Sequence, residues 1–267
     1  ELWMSIRNSR LIPQGGQALL VVLLIILGVY AVRGPVKLAS GESGRQVDRH
    51  SVNSRIIHWL VAGLFVILGI TGLFLLLGRP LLIPVIGKTA FSVIAAASKE
   101  VHNILGPLFP FALIFMFVNL VRRNLYEKGD LAWVAKGGGM LGGGHVSAGM
   151  FNAGEKILFW STIFLGIGIS VTGYVLDFPN IASWVLATST EFTQYRHVMG
   201  YAHVIHSVIA VLFIALAFGH IFLATLFVPG TLSSMTSGKV DSNWAKEHHD
   251  RWYEEIRNKG SSDNVDP

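Results

Sequence analysis

The grouping of apolar residues into long blocks constrains the fold more than any other feature of this sequence. Crossing about 30 Å of hydrocarbon takes about 20 residues of helix. Five blocks reach or nearly reach that length: residues 16–32, 56–77, 101–121, 157–176 and 201–228. They do not alternate in polarity as barrel strands do, and in lipid only a helix or a closed barrel satisfies the backbone. We therefore predict an all-α membrane protein with five spanning helices.

The composition agrees with a membrane protein and excludes several kinds of site. The chain is 52% apolar and 14% charged, whereas soluble domains carry about 25% charged residues. It has no cysteine, which excludes disulfides, protein-ligated iron–sulfur clusters and covalently attached c-type haem. A formal charge of +5 is ordinary for a membrane protein with basic loops, so we expect no nucleic-acid partner. Because the sequence starts at Glu1, we expect that an upstream signal or leader was removed.

The distribution of basic residues predicts the orientation. Fifteen of the 21 lysines and arginines fall before the second block, between the third and fourth, or in the tail. The positive-inside rule places these segments in the cytoplasm and the N-terminus in the periplasm of a bacterial inner membrane. We expect a periplasmic start with a first helix (1–40), a four-helix bundle (41–230) and a cytoplasmic amphipathic tail (231–267). Trp244 and Trp252 alternate with charges in that tail, which is typical of a membrane-surface helix.

Histidines inside the apolar blocks are the candidate functional residues. Ionisable groups in spanning helices are costly and usually mark function. Five of the ten histidines lie there: His58, His102, His203, His206 and His220. The topology puts His58 and His220 near the inner face, with His102 and His206 near the outer face. His206 and His220 are 14 residues apart, about four turns and about 21 Å on one helix face. His203 shares that face, and periodicity does not choose between it and His206.

Two imidazoles on facing helices can bind one haem iron from both sides, a common arrangement in helix bundles. With both axial positions filled by protein, such an iron favours electron transfer over oxygen chemistry. A zinc or di-iron site is the rival, but two histidines per level without clustered carboxylates or cysteines suit neither metal. We therefore predict a bundle of four haem-binding transmembrane helices, holding two b haems, plus one additional N-terminal transmembrane helix.

Several short stretches resemble the cytochrome b (gamma) subunit of respiratory, membrane-bound formate dehydrogenases. The resemblance covers about residues 48–257. The matching stretches are Arg55–Trp59, Val101-His102, Phe151–Lys156, the His206 and His220 pair, and the tail from Gly238 to Tyr253. The tail is the most specific of these.

The resemblance implies haem ligation by His58 with His220 and by His102 with His206, rather than His203. It also implies partners: an iron–sulfur beta subunit and, through it, a molybdenum or tungsten catalytic alpha subunit. Electrons would cross the membrane to quinone (menaquinone or ubiquinone) near the cytoplasmic side. This chain would then be the quinone-reducing subunit of an oxidoreductase complex, without a formate-oxidising centre of its own.

The same resemblance implies a quinone site at Asn152, Gly154 and Glu155, beside His220. Glu155 stands where the family pattern has Gln. A carboxylate there could accept a proton needed by reduced quinone. It could equally be a first-turn acid that complements the helix dipole.

Three other functions are compatible with part of this pattern. The nearest is the cytochrome b subunit of a nickel–iron hydrogenase or related quinone-linked oxidoreductase, which has the same architecture and another donor. A proton-relay transporter could also use buried histidines, although the spans lack paired acidic residues. A purely structural anchor would leave His58 and His220 without a purpose.

Overall fold

Helices account for most of the chain. The structure, a computed structural model, describes residues 2–139, 146–178, 180 and 192–262. Its helices are α1 (Leu2–Ile6), α2 (Ile12–Arg33), α3 (Val52–Leu105), α4 (Phe109–Leu120), α5 (Asp130–Ala135), α6 (Ala153–Asp177), α7 (Phe192–Phe222), α8 (Ser233–Thr236), α9 (Ser242–His248) and α10 (Asp250–Ser262). Two short strands, β1 (Gln46–Asp48) and β2 (Lys239–Asp241), pair antiparallel with Val47 opposite Val240.

Four helical stretches in the described ranges are long and apolar enough to cross a membrane. They are Met4–Arg33, Val52–Asn124, Ala153–Asp177 and Arg196–Phe227. The second has 73 residues and, if straight, would be about 110 Å long, several times the thickness of the hydrocarbon core. It therefore has to fold back on itself. The prediction of a helical membrane protein is confirmed.

The fold-back occurs at Gly87, which interrupts α3 with φ +79° and ψ 167°. Thr71 and His102 lie on opposite sides of this break, and Thr71 Oγ1 is 2.9 Å from His102 Nδ1. In a straight helix, 31 residues would separate them by about 46 Å. A Cβ on Gly78 would lie 2.7 Å from the ring of Phe91, so the absent side chain lets the two limbs approach. The limb 52–86 carries the second predicted span, and the third (101–121) runs from the end of the limb 88–105 through α4.

The chain divides into two compact units. The first unit comprises Glu1–Gly28, Trp59–Phe115 and Thr162–Gly219, and the second comprises Val29–His58, Met116–Ser161 and His220–Pro267. The core of the first unit includes Phe65, whose ring centre lies 4.7 Å from that of Phe213 and 6.4 Å from that of Phe109.

The first spanning helix packs within the first unit. A Cβ on Gly15 would lie 3.2 Å from a methyl group of Val211, and Gly16 approaches Leu77. At the start of the helix, Arg7 donates a hydrogen bond to the carbonyl oxygen of Leu75 at 3.4 Å. The additional helix is therefore in direct contact with α3 and α7.

The tail forms the core of the second unit. Val240, Trp244, Ala245 and Trp252 are buried together, and Val47, Met150 and Ile256 pack against them. Trp244 is only 2% exposed. The stretch expected to lie on a membrane surface is thus two helices, α9 and α10, whose indole rings pack against protein.

Candidate functional site

His102 and His206 face each other in the first unit. His102 lies near the end of α3, and His206 lies in the middle of α7. Their ring centres are 6.2 Å apart, with ring planes inclined by 73°. Metal–imidazole bonds of about 2.0 Å on opposite sides of one ion, plus about 1.1 Å from each nitrogen to its ring centre, would give about 6.2 Å. The separation therefore suits one metal ion held between the two rings.

A threonine hydroxyl holds each of these rings. Thr71 Oγ1 lies 2.9 Å from His102 Nδ1 and donates its only proton to the Ile67 carbonyl at 2.8 Å. Thr172 Oγ1 lies 3.0 Å from His206 Nδ1 and donates to the Gly168 carbonyl at 2.8 Å. Because each hydroxyl has one proton, its oxygen accepts from the imidazole N–H.

The same threonine contacts decide which ring nitrogen is protonated. With each hydroxyl proton directed to the carbonyl of Ile67 or Gly168, Nδ1 carries the proton in both rings. The lone pair of Nε2 is then available for a metal, as in other metal sites whose histidines are oriented by a second hydrogen bond.

A glycine follows each threonine and leaves room for the ring. A Cβ on Gly72 would lie 3.3 Å from Cε1 of His102, and one on Gly173 would lie 3.4 Å from Cε1 of His206. The sequence analysis missed these residues. The signal was a Thr-Gly pair repeated in two spanning blocks, Thr71-Gly72 and Thr172-Gly173.

A cavity of about 460 Å³ surrounds this histidine pair, within the size range of cofactor sites. Three phenylalanines (Phe65, Phe109 and Phe213) line it, together with Gly69, Gly72 and Gly173. An apolar wall with small residues beside the ligands suits a flat macrocycle.

His203, the rival for His206, lines the same cavity but lies one turn away. Its Nδ1 is 2.7 Å from the carbonyl oxygen of Met199, four residues earlier in α7. The ring that faces His102 is that of His206.

His58 and His220 form the corresponding pair in the second unit. Their ring centres are 6.3 Å apart and their planes are inclined by 65°. This is the same separation, within 0.1 Å, as in the other pair. In the part of the chain that the structure describes, no group of three or more His, Cys, Asp or Glu residues could hold a metal ion.

Asn152 and Glu155 form a reciprocal cap at the start of α6. Asn152 Oδ1 accepts from the Glu155 N–H at 3.0 Å, and Glu155 Oε2 accepts from the Asn152 N–H at 2.9 Å. This is a capping box, in which glutamine serves as well as glutamate at the third helical position. Either residue could therefore form this cap at position 155.

Arg49 binds the other oxygen of this carboxylate. Its guanidinium donates to Glu155 Oε1 and to the Met150 carbonyl, both at 2.9 Å, and stacks 4.7 Å from the centre of the Trp244 ring. The side chain of Arg49 is 1% exposed and that of Glu155 is 29% exposed. Arg49 was not among the site residues predicted from the sequence, because no local motif marks an ion pair between residues 106 positions apart.

Gly154, predicted in the quinone site, has a packing role in the structure. A Cβ there would lie 2.8 Å from the indole ring of Trp133. The Trp133 ring therefore packs against the first turn of α6. A side chain at position 154 would displace that ring.

The tail holds the loop that leads into α6. His249 Nδ1 lies 2.8 Å from the Gly149 carbonyl, and Asp250 accepts from the Ala148 N–H at 2.8 Å. His249 Nε2 lies 3.8 Å from Glu155 Oε2. Burial, followed by the charge of Arg49, lowers the pKa of His249 to about 3. His249 is therefore neutral at physiological pH.

A carboxylate of the tail binds the loop that precedes β1. Glu247 accepts from the N–H groups of Ala39 and Ser40 at 2.8 and 2.9 Å. Burial opposes ionisation of Glu247, but these hydrogen bonds prevail and lower its pKa. The tail residues of the sequence resemblance thus bind both the segment before β1 and the loop that leads into α6.

Comparison with known proteins identifies the family. The profile of the prokaryotic cytochrome b561 family matches residues 49–238. The cytochrome b556 (Fdo) subunit of formate dehydrogenase from Escherichia coli K12 is 31% identical over 213 residues, covering 79% of this chain and 93% of that protein. The nitrate-inducible (Fdn) counterpart from the same organism is 29% identical over 218 residues, covering 79% and 92%.

A third relative gives the same result. The cytochrome b556 subunit of formate dehydrogenase from Haemophilus influenzae is 30% identical over 215 residues, covering 79% of this chain and 83% of that protein. The resemblance drawn from short stretches of the sequence is confirmed over most of the chain. This chain belongs to the prokaryotic cytochrome b561 family.

Proposed function

We propose that this chain is the di-haem cytochrome b membrane subunit of a formate dehydrogenase complex. It would carry electrons from a periplasmic iron–sulfur subunit to quinone near the cytoplasmic side. The observation that carries the proposal is that two pairs of histidine rings face each other, with ring centres 6.2 Å apart in one pair and 6.3 Å apart in the other. The chain that holds them is similar to cytochrome b556 subunits of formate dehydrogenases.

In this proposal His102 with His206, and His58 with His220, would hold the two haem irons. Haem b, when bound, supplies a one-electron iron couple. Two histidines on each iron would leave oxygen no site, and the apolar bundle would keep water away. His206 and His220 lie 14 residues apart in the sequence, and the helix rise between them is about 21 Å.

We place the quinone site at the start of α6, with Asn152, Gly154, Glu155 and His220. Glu155 and His220 both belong to the second unit, which supports a site shared by the two. The Oε2 atom of Glu155 accepts from the Asn152 N–H and lies 3.8 Å from His249 Nε2. This oxygen is the atom that would receive a proton. Arg49 would hold the carboxylate in place while it does so.

The first experiment is to purify the complex from the membrane and count haem by pyridine haemochrome. We expect two non-covalent b haems per chain and their reduction on adding formate. Reduction by hydrogen instead would identify a hydrogenase subunit. A folded chain without haem would remove the electron-transfer function and favour a proton-relay transporter.

The orientation follows from the basic loops and is tested separately. Cysteines placed at Ser5 and at Ser261 of this cysteine-free chain can be labelled in sealed spheroplasts. We expect an impermeant thiol reagent to label the first and leave the second unlabelled. The reverse pattern would contradict the proposed direction of electron transfer.

A further inference from the structure

The cavity around His102 and His206 has one apolar end and one charged end. Phe65, Phe109 and Phe213 line it at one end. Phe109 and Phe213 each lie seven residues after a histidine of the pair, and Phe65 lies six residues before Thr71. These positions put all three rings about 10 Å to the same side of the histidine level.

Cations line the opposite end. Lys99 lies one turn before His102, on the side away from Phe109, and lines the cavity. Arg7 lines it as well, where its guanidinium meets the carbonyl of Leu75, one turn beyond Thr71. Asp177 is the acidic residue in this lining, so the charged end carries a net positive charge.

Arg7 comes from the additional N-terminal helix, outside the matched family region of residues 49–238. Its hydrogen bonds go to neutral oxygens, the Leu75 carbonyl at 3.4 Å and the Asn8 side chain at 3.3 Å. The charge of Arg79 acts on it as well. In the described part of the chain, no carboxylate lies within 4 Å of this half-buried guanidinium. A cation so placed at a low-dielectric cavity is stabilised by an anionic partner.

We propose that Arg7 and Lys99 bind the two propionate carboxylates of the haem held by His102 and His206. The additional helix is then part of that cofactor site. Haem b has an apolar edge and a carboxylate edge, which match the phenylalanine end and the cationic end of this cavity. The inference rests on the proposed function, because it assumes a haem between these two histidines.

The test is a redox titration of the purified complex, followed by visible spectroscopy. The haem of this site is identified as the one lost in His206→Ala. A cation beside a haem favours the reduced, less positive state, so Arg7→Gln and Lys99→Gln should each lower its midpoint potential. We expect up to about a tenfold change in the oxidised-to-reduced ratio at fixed potential, or ~59 mV for one electron.

Matched controls separate the ion pairs from a general change in charge. Arg10→Gln removes an exposed cation three residues from Arg7 that does not line the cavity, so the potential should stay at the wild-type value. Arg7→Lys keeps the charge. This variant should therefore retain the haem, and the midpoint potential of that haem should stay close to the wild-type value. The second haem, held by His58 and His220, should titrate unchanged in every variant.

The outcomes distinguish this inference from the proposed function. Wild-type protein without two b haems would contradict the function itself. Wild type could instead hold two b haems while Arg7→Gln and Lys99→Gln give the same midpoint potential as Arg10→Gln. That result would contradict only the propionate contacts. Equal loss of haem in Arg7→Gln and Arg7→Lys would also overturn the inference, because it would show that packing of Arg7 matters and its charge does not.

Discussion

Thr71 Oγ1 lies 2.9 Å from Nδ1 of His102, although 31 residues separate them along one broken helix. The hydroxyl accepts the imidazole proton because its own proton goes to Ile67. This contact fixes the orientation of the His102 ring, whose centre lies 6.2 Å from that of His206. Thr172 does the same for His206, so both ligands of the proposed haem are oriented by equivalent groups.

Removing these hydroxyls should weaken the proposed haem site without unfolding it. Thr71→Val and Thr172→Val keep the side-chain shape but lose the acceptor. We expect about tenfold weaker haem retention, the low end for losing a hydrogen bond that orients a metal ligand. Less basic ligands should also raise the midpoint potential of this haem. Thr225→Val is the control, since its hydroxyl donates to a backbone carbonyl, that of Ile221, as the other two do. Equal behaviour of all three variants would contradict this role.

Alanine substitution of the paired histidines should remove haem one site at a time. His102→Ala and His206→Ala should each leave one b haem per chain, and so should His58→Ala and His220→Ala. His203→Ala should keep two, because the His206 ring is the one that faces His102. Haemochrome counts on purified protein measure this. Two haems in His206→Ala together with one in His203→Ala would reverse the proposed ligand assignment.

The Arg49–Glu155 pair should contribute to both stability and quinone reduction. Glu155→Gln keeps the capping box but leaves the buried Arg49 without its carboxylate. Because the Glu155 side chain is 29% exposed and Arg49 keeps its bond to Met150, we expect a loss of about 1–3 kcal/mol, below that of a fully buried pair. Thermal unfolding of the second unit should therefore begin at lower temperature. Glu254→Gln, which breaks an exposed pair with Arg257, is the control and should have little effect.

The same substitution tests the proposed proton acceptor. If Glu155 only caps α6, quinone reduction in Glu155→Gln should match wild type once the protein is folded. We expect instead that formate still reduces both haems while their reoxidation by quinone slows. Stopped-flow spectroscopy of haem reoxidation measures that step directly.

His249 should make the second unit sensitive to mild acid. Burial, followed by the charge of Arg49, lowers its pKa from an ordinary 6.5 to about 3 in the folded protein. The unfolded chain therefore takes up this proton first as the pH falls. The contribution of His249 to stability is complete above pH 6.5 and declines between pH 6.5 and about 3. Melting temperatures of wild type and His249→Gln should converge as the pH is lowered through this range. Parallel curves would exclude His249 as the cause.

Gly238 should tolerate no side chain, because of its conformation and its neighbour. Its φ is +85°, and a Cβ would lie 2.6 Å from the His50 carbonyl. Its own carbonyl accepts from the N–H groups of Arg49 and His50 at 2.8 and 3.1 Å. Gly238→Ala should therefore lower the melting temperature more than Gly34→Ala. At Gly34 φ is +65°, and among the described residues no atom beyond its chain neighbours lies within 4 Å of the added Cβ. Equal losses would show that backbone strain alone matters.

The sequence by itself determined the membrane class, the spanning blocks and the two levels of histidines. Hydropathy and helical periodicity are local properties: a residue's neighbours within a few turns decide whether a block can span and which face it presents. The 14-residue spacing of His206 and His220 was therefore readable without a structure. The same periodicity left His203 and His206 equivalent.

Only the tertiary structure decided what depends on contacts between distant segments. The ring of His206 faces His102 because the chain folds back at Gly87, which no local spacing encodes. Arg49 binds Glu155 across 106 residues, and Arg7 lies at the histidine cavity because α2 packs against α3 and α7. Thr71 and Thr172 resemble any other helical threonines until an imidazole lies beside them. Side-chain partners are chosen by packing in three dimensions, and only the folded chain brings those partners within reach.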